Sequence, residues 1–66
     1  MPRSPRLTAD QAERLLLDNG FVLLRAKGSH RIYLRGRTRV VVPHHTGEVL
    51  HPKVVRQILR AIASSA

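Results

Sequence analysis

Lys27-Gly28-Ser29-His30-Arg31-Ile32-Tyr33 is the one stretch of this chain that gathers the parts of an acid–base site within a few residues. An imidazole with an ordinary pKa of about 6.5 can both take and give a proton near neutrality, which no other side-chain type does unperturbed. Gly28 lets the backbone approach a ligand closely, and an exposed amide there could hold a phosphate oxygen. Ser29 adds a hydroxyl, and Arg25, Lys27 and Arg31 surround His30 with positive charge. These are the parts needed to cut a ribose–phosphate chain. A base removes the proton of a 2′-hydroxyl, which attacks the neighbouring phosphate, while cations steady the developing charge. A structural reading of the same residue stands beside this one. His30 shares strand parity with Ile32 and Leu34, which places it toward the core side as a hydrogen-bonded histidine, although the first position of a strand lies at the rim of a sheet.

The other candidates divide in the same way. Arg35, Arg37 and Arg39, with Arg31, can track a phosphate backbone, or form a solvated edge whose charges deter sheet-to-sheet pairing. Tyr33 can stack a base or pack within its strand. His44, His45 and His51 match no zinc spacing and have no cysteine beside them, so the reading assigns no metal and no cofactor. His44 is a candidate second proton donor if its loop folds beside His30.

Composition narrows the partners. Twelve Lys and Arg against four Asp and Glu give a net charge of +8 on 66 residues, with a pI near 11.8. A field that dense attracts polyanions and speeds their encounter, so nucleic acid leads. With one Phe, one Tyr and no Trp, there is no aromatic platform for single strands. The longest apolar runs, such as Phe21 to Leu24, are far short of the roughly 20 residues that cross a membrane. No signal-peptide h-region follows the N-terminal arginines, and the lack of cysteine fits a reducing cytoplasm.

The elements that must position these residues are legible in order. Residues 1–7 read as a loose basic arm. Thr8 and Gln11 form a capping box, Ala12, Leu15 and Leu16 make a helical stripe that Leu7 can staple, and Gly20 ends the helix. Strands are expected at Phe21–Leu24, His30–Leu34 and Arg39–Pro43, joined by tight turns at 27–29 and 35–38, with Ile32 and Leu34 facing the core and Arg31 and Tyr33 facing away. After a loop over 43–51, Pro52 opens a second helix with Val54, Val55, Ile58, Leu59 and Ile62 inward, and residues 64–66 fray. The expectation is one α+β domain over 1–66, in the order α-β-β-β-α. A three-stranded antiparallel sheet carries two helices on one face, the architecture of double-stranded-RNA-binding domains.

Set in this order, Lys27-Gly28-Ser29-His30 with an aromatic soon after, and a valine-rich strand ending in Val42-Pro43-His44, resembles the HicA mRNA interferase family over roughly residues 9 to 62. The resemblance implies a double-stranded-RNA-binding-like fold, ribosome-independent cleavage of mRNA, neutralisation by a HicB antitoxin, and the catalytic histidine at His30; the expected activity is that of a metal-independent endoribonuclease toxin. Around it, Arg25, Lys27, Gly28, Ser29, Arg31, Tyr33, Arg35, Arg37 and Arg39 are the expected RNA-binding residues. The chain departs from the family pattern where the last helix begins, at His51-Pro52-Lys53. A non-catalytic RNA-binding module of the same fold is the alternative, as is a protein-interaction surface for an acidic partner.

Overall fold

The computed structural model describes residues 6–45 and 47–64, so most of the expected N-terminal arm and the last two residues of the expected tail lie outside it. Its elements are α1 (Ala9–Asp18), β1 (Val22–Lys27), β2 (His30–Arg35), β3 (Thr38–Pro43) and α2 (Pro52–Ala63). The sheet is antiparallel in the order β1-β2-β3, and both helices cover one face. This is the expected α+β, double-stranded-RNA-binding-domain-like arrangement.

Each boundary has a local cause. At the start of α1 the Thr8 hydroxyl accepts from the Gln11 amide at 3.2 Å, and the Gln11 side chain accepts from the Thr8 amide at 2.9 Å. This reciprocal pair satisfies two of the donors a helix leaves open at its N-terminus. At the other end Gly20 adopts φ +87°, while Gly20 and Phe21 donate to the carbonyls of Leu17 and Leu16. That is a Schellman closure, and its usual apolar contact is present, since Phe21 and Leu16 both lie in the core. Gly28 and Gly36 (φ +58° and +60°) each stand first in a two-residue turn, where hairpins of the II′ kind need positive φ. Those short turns fix the register: His30 pairs with Lys27 on β1 and Pro43 on β3, and Tyr33 pairs with Val40. β1 carries a one-residue irregularity at Leu24, between Leu23 opposite Tyr33 and Arg25 opposite Ile32.

The register overturns the expected facing of β2. Tyr33, not Ile32 or Leu34, points to the helices; it is 0% exposed and packs with Val40, Val42, Ala12, Leu16, Phe21, Val55 and Ile58. Directly opposite residues in an antiparallel pair share a face, so Arg31 and Arg35 go to the helix side with Tyr33. His30, Ile32 and Leu34 go to the open side. The physical reason is that both sets of side chains have apolar bodies, and only the odd-numbered set also finds polar partners beneath the sheet.

Two ties set the helices side by side. Leu50 donates its amide to the Leu7 carbonyl at 2.7 Å, and Thr8 and Val49 form an isolated bridge, so the segments leading into α1 and α2 start together. Leu7, expected in a loose arm, is thus pinned and half-buried against the core. At the far end the Arg35 guanidinium donates to Asn19 O at 2.9 Å, to Ala61 O and Ile62 O at 3.1 Å each, and to Ser64 O at 2.5 Å. Its Cζ also lies 4.7 Å from the centre of the Phe21 ring. One cation therefore answers the orphan carbonyls, and the negative dipole ends, of both helices. The helices run in the same direction, with their N-termini at the end of the sheet that carries His30.

Charged hydrogen bonds are worth about 1.5–3 kcal/mol each to lose, and a domain of this length holds only a few kcal/mol in total. Arg35→Ala is expected to lower stability by about 2–4 kcal/mol in denaturant melts. Arg37→Ala, exposed in the same hairpin, is expected to change it by less than about 0.5 kcal/mol.

Candidate nucleic-acid-cutting site

β2 begins at His30 because the Gly28-Ser29 turn closes there, and this places the imidazole on the open face at the sheet's end, exposed to solvent. The core-side histidine reading is thereby set aside. Lys27 stands directly opposite on β1 and shares the open face, with Cβ atoms about 5 Å apart by strand geometry. Arg25 follows on the same face opposite Ile32, and Arg39 lies opposite Leu34, about 14 Å along the strand from His30 at 3.4 Å per residue. Between the cations runs an apolar strip of Val22, Ile32, Leu34 and Val41, with Val22 58% and Val41 42% exposed. Arg37 sits exposed in the turn at the far end.

Three expected RNA-binding residues are not part of this face. Tyr33 is buried, and its hydroxyl donates to Glu13 Oε2 at 2.7 Å, so its ring is not free to stack a base. Arg31 donates to the same carboxylate oxygen at 3.0 Å. Arg35 is held by the helix ends. All three turn inward because Glu13 and the C-terminal carbonyls lie beneath the sheet, and an amphipathic side chain buries its body only where its polar end is satisfied. Glu13 belongs to no motif of the sequence. Its only sequence signal is a lone carboxylate flanking the Ala12–Leu16 stripe.

The loop histidines separate likewise. The His44 amide donates to Ser29 O, so its backbone adjoins the turn, but its ring faces α1 and lies 2.9 Å from Asp10 Oδ1. It braces the His30 corner from beneath rather than sharing the open face. His51 Nδ1 accepts from the Lys53 amide at 3.1 Å and caps α2, a role the cap preferences for Ser, Thr, Asp and Asn did not signal. Among the described residues no three His, Asp or Glu come together to hold a metal.

Burial pushes the Tyr33 hydroxyl up to about 12, reinforced by its hydrogen bond to Glu13 and by that carboxylate's charge, and opposed by Arg31.

An exposed histidine among cations lies on the open face of a three-stranded sheet backed by two parallel helices, in a small α+β domain. The chain matches the family of HicA toxins of bacterial toxin–antitoxin systems over residues 9–63, and it belongs to that family. No curated protein and no solved structure matches it. Membership makes it the toxin component of such a system, in a family that generally cleaves mRNA and has a cognate antitoxin.

The Tyr33 shift fixes a pH dependence. Its folded pKa lies above the unfolded value of about 10, so its contribution to stability is complete below pH 10 and is lost as pH rises through about 12. Melts of the wild type across that window are expected to show a falling midpoint, and the Tyr33 share of that fall is expected to vanish in Tyr33→Phe. An identical alkaline fall in both would show that the hydroxyl is not the group responsible.

Proposed function

We propose that this toxin is a metal-independent endoribonuclease that cuts mRNA in the cytoplasm, with His30 as its general acid/base. The observation that carries the reading is the placement of His30: exposed at the end of the sheet, opposite Lys27, in a chain of the HicA family. In the proposed step the His30 imidazole takes the proton of a ribose 2′-hydroxyl as that oxygen attacks the adjacent phosphate. Lys27 and Arg25 stabilise the charge that builds on the phosphate oxygens, and the Gly28-Ser29 turn leaves room for the backbone of the RNA. Arg39 and Arg37 extend the positive surface toward the far end of the sheet. One acid–base group contributes about 10²–10⁴-fold, so the enzyme is expected to be slow.

The same face accounts for neutralisation. Its apolar strip rimmed by Arg25, Lys27 and Arg39 suits an acidic HicB-type antitoxin, whose binding would cover His30 and silence it. No helix of the described residues is long and apolar enough to cross a membrane.

The ring of His44 faces Asp10, so His44 is not a second imidazole beside His30 on the open face. That observation favours the competing reading, an RNA-binding module that does not cut. A gel assay of RNA cleavage in the presence of chelator separates the two. Wild type is expected to cut, and His30→Ala, a substitution at an exposed position, is expected to lose at least a hundredfold in rate while keeping the wild-type melt. Binding by both proteins with cutting by neither would leave the binding module.

A further inference from the structure

Of the two helices, α1 carries three carboxylates and one cation, Arg14, while α2 carries cations alone. Of the four carboxylates in the chain, Asp10, Glu13 and Asp18 lie on α1 and Glu48 lies in the loop before α2. The 12 residues of α2 include no acid and three cations, Lys53, Arg56 and Arg60. These three stand at positions i, i+3 and i+7, on one helical ridge about 10 Å long, with Gln57 between them. They are exposed and line a shallow groove of about 320 Å³. Among the described residues, none of the three makes an ion pair.

A second groove lies between the ridge and the His30 corner. Pro43, the cross-strand partner of His30, lines a second groove of about 290 Å³ with Leu50, Val54, His45, Glu48 and His51. That groove has an apolar floor and a mixed polar rim, and it ends at His51, two residues before the first cation of the ridge. A polyanion lying across His30 thus has two ways round the edge of the domain. The way over α1 meets three carboxylates and Arg14, and the way over the groove passes Glu48 to a row of three cations that, among the described residues, make no ion pair. Like charges repel and counterion release rewards the second, so charge alone selects it.

We propose that α2 is a second RNA-docking surface, on which Lys53, Arg56 and Arg60 hold the phosphates of the strand that His30 is cutting. The inference rests on RNA being the substrate. It adds a site on the helical layer, remote from the open sheet face, and makes the bound RNA wrap the end of the domain.

The test compares two charge-matched pairs, Arg56→Gln/Arg60→Gln on α2 and Arg6→Gln/Arg14→Gln at and before α1, each in the His30→Ala background. Fluorescence anisotropy with a labelled single-stranded RNA of about 20 nucleotides is read across a salt series. Each phosphate contact to a single strand contributes about 0.7 to the slope of log affinity against log salt. The α2 pair is expected to weaken binding roughly tenfold to thirtyfold at 0.1 M salt and to flatten the slope by about 1.4. The Arg6/Arg14 pair is expected to stay within about twofold. Equal losses in the two pairs would show a general field effect and overturn the proposal. So would an unchanged affinity in the α2 pair, including a case in which that pair instead loses an acidic protein partner. With His30 restored, the α2 pair is expected to raise KM and keep kcat. If the wild type does not cleave at all, the nuclease reading fails, while the anisotropy comparison still decides the role of α2.

Discussion

The contacts of Arg35 are the constraint on which the rest of the architecture depends. Its guanidinium meets the last carbonyls of α2 and the cap carbonyl of α1, and its flat face lies over Phe21, the residue that leads into β1. One side chain at the end of β2 thereby joins both helices and the first strand. A domain of 66 residues buries a smaller share of its surface than a large one does, and it has no disulfide to close it. A cation that satisfies several orphan acceptors at once is an economical substitute for a larger core. Lysine, a compact ammonium without the planar fork, does not reproduce that geometry.

The clamp at one end determines the electrostatics at the other. Because the helices run in the same direction, their positive N-terminal ends lie near the turn that carries His30, and the negative ends are gathered on Arg35. The polar ends of the domain are therefore unlike each other. The helix dipoles and Lys27 together make the His30 end positive, while the opposite end is internally neutralised. Asp10 and His44 close the gap between α1 and the end of β3 and hold the Ser29 carbonyl through the His44 backbone.

Element order was legible from local chemistry: Thr8 with Gln11, Gly20, the two hairpin glycines and Pro52 each mark a boundary through a mechanism that acts within a few residues. The face of β2 was not legible. Ile32 and Leu34 made the more hydrophobic set, so alternation pointed them inward. What turns Arg31 and Tyr33 inward is Glu13, 18 and 20 positions earlier, and what turns Arg35 inward is carbonyls at 61–64, more than 25 positions later. Such partners leave no periodic trace. The same inversion explains why the place of His30 in the chain was readable while its company was not. Parity decides which cations share its face, and it assigns Arg25, Lys27 and Arg39 while removing Arg31 and Arg35.

The irregularity at Leu24 has a consequence for how the free protein behaves at high concentration. β1 is an edge strand, and Val22, Leu23 and Leu24 are 58%, 45% and 54% exposed, an apolar rim with unpaired backbone groups. A straight strand of that composition would template the addition of another copy, and of another after that, into a growing ribbon. An extra residue in mid-strand breaks the spacing of donors and acceptors that an incoming strand must match, and it twists the rim out of plane. Arg25 and Lys27 then place like charges against like charges on any approaching copy. The irregularity in β1 and these two charges thus oppose strand-to-strand addition along this edge.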